Sequence, residues 1–98
     1  MSKFIICVDL YLSDKNSLSD YGKLKTKMLE NISFSHKFID DENGKEYNLP
    51  ITQYLYIGEI TDLGEIKEIA ESIVSKINRP YFITIAECIS ILGVGHEQ

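Results

Sequence analysis

The stretch from Phe34 to Gly58, FSHKFIDDENGKEYNLPITQYLYIG, decides how this chain folds. Phe34 to Ile39 reads as one strand, Asp40 to Lys45 as a turn, Glu46 to Pro50 as a lead-out, and Gln53 to Gly58 as the next strand. Asn43-Gly44 carries the turn signal, because both residues tolerate the positive φ that a primed hairpin turn requires. Pro50 has no N–H to give a ladder, so Leu49-Pro50 belongs at an edge or crossover. The Asp40-Asp41-Glu42 run lacks the spacing of a calcium loop and reads as a solvated turn.

Working outward, a periodic helix lies on each side of this antiparallel centre and a strand beyond each helix. Lys3 to Leu12 is the first strand, rich in β-branched and aromatic residues. Its period-two alternation puts Phe4, Ile6, Val8 and Leu10 on a wholly apolar face, expected to meet the helices. Ile5, Cys7, Asp9 and Tyr11 share the other face, which turns polar at Asp9. Ser17 or Ser19 can cap the first helix, and Leu18, Tyr21, Leu24, Met28, Leu29 and Ile32 form its apolar stripe. Asp62 followed by Glu65 is a capping-box-like start to the second helix, whose stripe is Leu63, Ile66, Ile69, Ala70, Ile73, Val74 and Ile77. Asn78-Arg79-Pro80 ends it, since proline cannot continue the ladder. Tyr81 to Ala86 is the last strand, Glu87 to Leu92 either extends it or stands apart, and Gly93 to Gln98 should fray.

The element order is therefore βαββαβ, an α+β, ferredoxin-like arrangement. It implies an antiparallel four-stranded sheet with the first and third strands central and both helices on one face. The other face is left bare. The 98 residues, 44% hydrophobic, suit a single domain spanning residues 1–98. No apolar run reaches the length of a membrane span, and no leader-type segment precedes the first strand, so a cytoplasmic protein is expected. Cys7 and Cys88 lack metal-type spacing with His36 or His96 and read as reduced core thiols. A net charge of −5 argues against broad nucleic-acid binding, and DNA is not expected as a partner. Local RNA contact stays open, because Lys15, Lys23, Lys25, Lys27 and Lys37 all fall in the first 40 residues.

A sheet with one bare face commonly binds RNA, a small ligand or a second copy of itself. Tyr54 and Tyr56 alternate with Leu55 and Ile57, and are expected on the bare face, joined by Tyr81. There they would either stack on bases or close a homodimer, since tyrosine serves both purposes. Asp9 is the residue of most chemical interest. A carboxylate near the end of a central strand can hold Mg²⁺ or polarise a water, especially if a two-fold axis pairs two copies. The plainer reading is that Asp9 solubilises the strand end. His36 is a general base only by residue type, and no phosphate-cradling glycine loop, nucleophile elbow or paired-histidine motif occurs.

One group of residues carries a family resemblance. Asp20-Tyr21, Leu24, Met28, Phe34-Ser35, Ile39, Asp41 and Gly44 are followed by Tyr47-Asn48-Leu49-Pro50, Tyr54, Tyr56, Gly58 and the tyrosine-led strand Tyr81 to Glu87. Together they resemble the small GhoS antitoxin family, most specifically through the Tyr-x-Leu-Pro segment, three residues, then Tyr-x-Tyr-x-Gly. The resemblance implies a ferredoxin-like fold similar to the small nuclease subunit of CRISPR adaptation. It implies the activity of a type V antitoxin, an endoribonuclease that cleaves the messenger of a small membrane toxin. On that reading Asp9 is the catalytic candidate, Lys23 and Lys27 hold phosphates of single-stranded RNA, Tyr54 and Tyr56 stack bases or close the dimer, and Mg²⁺ is the candidate metal. The contrasting expectation is a non-catalytic module that buries its bare sheet face by homodimerisation or against a protein partner.

Overall fold

The computed structural model describes residues 1–11 and 18–94, with the side chain of Leu18 outside that description. Strand β1 (Ser2–Leu10) leads to helix α1 (Leu18–Leu29). Four strands follow: β2 (Phe34–Ser35), β3 (Lys37–Ile39), β4 (Glu46–Asn48) and β5 (Gln53–Gly58). Helix α2 (Leu63–Val74), a 3₁₀ turn (Ser75–Ile77) and β6 (Tyr81–Glu87) complete the order. The main sheet is antiparallel throughout and runs β2-β5-β1-β6. The architecture is thus α+β, with two helices on a four-stranded antiparallel sheet.

Phe4, Ile6 and Val8 have no exposed surface and Leu10 almost none, so β1 is central and its apolar alternation faces the helices as expected. Tyr21, Leu24 and Met28 of α1 and Ile66, Ala70 and Val74 of α2 join these residues in one core, which puts both helices on the same side of the sheet. Asp62 caps α2 by accepting the Gly64 N–H at 3.1 Å. The 3₁₀ turn closes at Asn78 in the left-handed region, as expected for a helix stopped ahead of Pro80. Buried Asp20 accepts a 2.8 Å bond from Arg79 Nε, tying the first turn of α1 to the segment before β6. Ile32, counted in the first helical stripe, lies past the helix end and is fully solvated. Ser19 lies inside α1, and the capping role expected of Ser17 falls outside the described residues.

The central stretch departs from the sequence reading. Phe34 to Ile39 is not one strand: the chain breaks at His36, and the linear order is not βαββαβ. Phe34 and Ser35 pair with β5, whereas Lys37 to Ile39 leave the sheet and pair with Glu46 to Asn48 as a separate two-stranded ribbon. The cause is local. His36 Nδ1 bonds the Gln53 carbonyl at 2.9 Å, the His36 carbonyl accepts the Leu49 N–H, and Ser35 Oγ folds onto the Lys37 backbone. These bonds hold the two sides of the break to different elements. The turn is also not a primed one. Gly44 has φ 72°, but Asn43 does not take positive φ, and the loop is instead organised by Asp40. Asp40 Oδ1 accepts the N–H groups of Glu42 and Asn43, and its carbonyl accepts that of Gly44.

The ribbon then folds over half of the face expected to be bare. Phe38, Tyr47 and Leu49 pack onto Leu55 with Ile5, Cys88 and Ile91, forming a second core on the far side of the sheet. Residues 88–94 do not extend β6, and Cys88, Ile91 and Gly93 clamp this ribbon; the fraying expected over Gly93 to Gln98 does not hold at Gly93, and beyond Val94 it lies outside the described residues. Asp41 donates its N–H to the Ile91 carbonyl, and Asp40 Oδ2 accepts the Gly93 N–H at 2.7 Å. Asp40 is therefore a buried loop organiser and not part of a solvated turn. The Gly93 N–H, then those of Asn43 and Glu42, hold its carboxyl below the usual carboxylate range. Gly93 crosses the stacked Phe38–Tyr47 pair so closely that a Cβ there would stand 2.8 Å from Phe38 Cζ. Gly93→Ala should therefore cost about 1–3 kcal/mol through overpacking. Urea unfolding with an unchanged midpoint would show that the clamp contributes nothing.

Candidate functional site

What stays open on the far face is the strip beyond the ribbon. Register pairs Cys7 with Thr84 and Asp9 with Phe82, so these four side chains share that face, with Tyr11 continuing the parity of Asp9. Asp9 is exposed there, as expected. Tyr11 is 68% exposed and Phe82 67%, an unusual cost for two large rings unless something covers them. The Tyr11 N–H donates to the Pro80 carbonyl at 2.8 Å, which keeps the end of β1 beside β6. Asp9, Leu10, Tyr11, Pro80, Tyr81 and Phe82 line a shallow cleft of about 350 Å³. The candidate site is thus one carboxylate between two exposed rings.

The placement expected for Tyr54 and Tyr56 is corrected. They sit opposite Ile6 and Phe4 on β1, so their parity is that of the helix-facing core, and they are 0% and 3% exposed. Tyr56 packs between Phe4 and Phe34, and its Oη accepts the Ile60 N–H at 3.2 Å. Rings held this way present no face to a base or to a second copy. Tyr81 shares their side of the sheet but is partly exposed at its rim. Lys23 and Lys27 lie on α1, on the helical side, whereas Asp9 lies on the other, so the structure does not bring them together with Asp9. Lys23 Nζ instead stands 3.9 Å from Asp20.

The sequence reading missed Tyr11 and Phe82 as candidates. Their signal was present: Tyr11 shares the period of Asp9, and Phe82 is out of phase with the apolar Ile83 and Ile85. Among the described residues, no group of three or more His, Cys, Asp or Glu side chains is placed to hold a metal ion. A Mg²⁺ at Asp9 would take phosphate or water among its ligands, as Mg²⁺ commonly does. Cys7 and Cys88 are free and half-buried, and burial pushes the Cys88 thiol up, away from nucleophile chemistry. No helix among the described residues is long and apolar enough to cross a membrane. The chain matches no protein-family model, and no curated protein sequence matches it.

One buried and one partly buried group give sharp tests of this placement. Tyr54 Oη finds no hydrogen-bond partner among the described residues, and burial, helped by neighbouring Tyr21, pushes its pKa up to about 12. Tyr54→Phe removes a polar atom without opening a cavity, so stability should hold or rise by up to about 1–3 kcal/mol. A loss of more than about 1 kcal/mol in chemical denaturation would show instead that the hydroxyl is well bonded. His36 is lowered from its ordinary value near 6.5, chiefly by burial and also by Lys25, against the opposing bond to the Gln53 carbonyl. Its folded state binds fewer protons than the unfolded chain, so stability present above pH 6.5 is lost as pH falls through that value. The slope between about pH 5 and 7 should disappear in His36→Asn, as read from urea midpoints.

Proposed function

We propose that this chain is a ferredoxin-like, GhoS-like antitoxin that binds single-stranded RNA across the Asp9–Tyr11–Phe82 strip and cleaves a toxin messenger there. Support for the fold reading comes from the central β5 and β1 strands and from the two helices on one face, with the β3–β4 ribbon as an insertion between the second and third strands. The observation that carries the RNA reading is the pair of exposed rings flanking an exposed carboxylate on an otherwise polar strip. Aromatic rings stack on any base, and such stacking is sequence-tolerant. Asp9 is the group that would orient a water or a phosphate-bound Mg²⁺ beside them. The lysines of α1 would steer RNA toward the protein from the helical side without touching the same nucleotides.

A second reading is favoured by one specific observation. Tyr11 and Phe82 are two large exposed rings, and among the described residues Asp9 belongs to no cluster of three or more metal-ligating side chains, which suits a non-catalytic module whose exposed rings meet protein. Titration with a fluorescent single-stranded RNA separates the two. The antitoxin reading expects affinity that falls as salt rises, and a loss of about 1–3 kcal/mol in Tyr11→Ala for one lost base stack. It also expects RNA cleavage that disappears in a folded Asp9→Ala. Absence of any affinity at low salt would remove the RNA reading and leave the interaction module.

A further inference from the structure

The two edges of the main sheet are built differently. The β2 edge is two residues long, and its chain turns away at once into the ribbon. The β6 edge runs for seven residues, Tyr81 to Glu87, with no proline, lysine or glycine within it. Proteins usually blunt such an edge, because its unpaired N–H and C=O groups template another strand. Which groups are unpaired follows from the register. Tyr11 donates to the Pro80 carbonyl and the Cys88 N–H to that of Lys3, so the even-numbered residues of β6 direct their backbone toward β1. The odd-numbered residues Tyr81, Ile83, Ile85 and Glu87 direct theirs outward. Among the described residues, no strand pairs with them.

Beside this edge runs a groove of about 360 Å³ between β6 and α2, lined by Leu63, Lys67, Glu71, Tyr81, Ile83 and Ile85 among others. We propose that a second copy of this chain occupies this edge. The two β6 strands would pair antiparallel about a two-fold axis at Thr84, joining two sheets into one. The strand is its own complement in that register. Ile83 meets Ile85, Phe82 meets Ala86, and Tyr81 meets Glu87, so the sole charged residue of the strand faces a hydroxyl and never its own copy. Every hydrogen-bonded pair combines two outward-directed residues, as an antiparallel ladder requires. The same axis runs the two α2 helices antiparallel and sets Lys67 of one copy toward Glu71 of the other. Both side chains are exposed, and they stand at i and i+4 on the groove side of α2. That charge complementarity under a two-fold operation is what singles out a second copy among the partners an apolar edge could take. The open-face homodimer expected from sequence is a different surface, half of it already occupied by the ribbon.

Sedimentation equilibrium of the full chain, without RNA and at concentrations up to about 1 mM, tests this directly. The wild type is expected to sediment as a dimer. Thr84→Lys places two ammonium groups at the axis while its side chain stays solvated in the monomer, so dimerisation should weaken at least about tenfold with an unchanged circular-dichroism spectrum. Lys67→Glu should weaken it as well, and adding Glu71→Lys should restore it, which carries the test if Thr84→Lys does not fold. A wild type that stays monomeric throughout overturns the proposal and leaves the edge to a different chain. Wild-type dimerisation in both a folded Thr84→Lys and Lys67→Glu overturns it in favour of another surface. None of these readouts involves nucleic acid, so failure of the RNA reading leaves the result intact.

Discussion

Everything in this structure depends on β1 being a strand paired on both sides and having two unequal faces. Phe4, Ile6, Val8 and Leu10 are buried in the helical core because β5 and β6 flank them and α1 and α2 cover them. A shift of one residue in either pairing would turn Asp9 into that core, at the cost of desolvating a carboxylate. The register is therefore specified by polarity as much as by apolar burial. Tyr21 reinforces it, since its Oη accepts the Leu10 N–H at 2.9 Å and anchors α1 to the end of the same strand. The Asp20–Arg79 pair next to it closes the same end from the β6 side. Asp20 is the buried member and Arg79 is only partly buried, so removing Arg79 would leave a shielded carboxylate with the more distant Lys23 ammonium, which makes the pair a constraint on geometry more than a source of stability.

The second core explains the part of the chain that looked most like a functional signature. In Tyr47-x-Leu49-Pro50 and Tyr54-x-Tyr56-x-Gly58, the first tyrosine and the leucine belong to the ribbon core, and the other two tyrosines to the helical core. Pro50 ends β4 and accepts the Gln53 N–H through its carbonyl, which turns the chain into β5. Gly58 is needed because the Tyr56 ring folds back along its own strand, where a Cβ would stand 2.7 Å from Tyr56 Cζ. Each residue of the pattern thus has a packing reason.

The two faces of the sheet consequently have different roles. One is sealed by helices, and the other is divided between the ribbon clamp and the solvated strip of Cys7, Asp9, Thr84 and Phe82. The clamp closes the chain on itself through Asp40, whose two oxygens join a loop in the middle of the sequence to a segment near its end. The strip and the β6 edge meet at Phe82 and Thr84, so any ligand on one is in reach of a partner on the other.

By itself the sequence determined the elements governed by local rules. The alternation in β1, the Asp62 cap, the stop before Pro80 and the position of Pro50 outside a strand all follow from dihedral preference and period, and the structure reproduces each. The exposure of Asp9 was legible for the same reason. What only tertiary structure decided was the assignment of faces and partners. Tyr54 and Tyr56 alternate with Leu55 and Ile57, and nothing local says which set looks toward the helices. Both sets are apolar enough for a core, and the ribbon supplies a second one that takes Leu55 while Ile57 stays exposed. Likewise Phe34 to Ile39 is locally one strand, and it divides only because His36 is held by Gln53 and Leu49, which the chain reaches after a turn. The acidic run at Asp40 reads as solvated until residue 93 arrives to bond it. Long-range hydrogen bonds cannot be seen in a window of neighbours, and at His36 and Asp40 they override the local pattern.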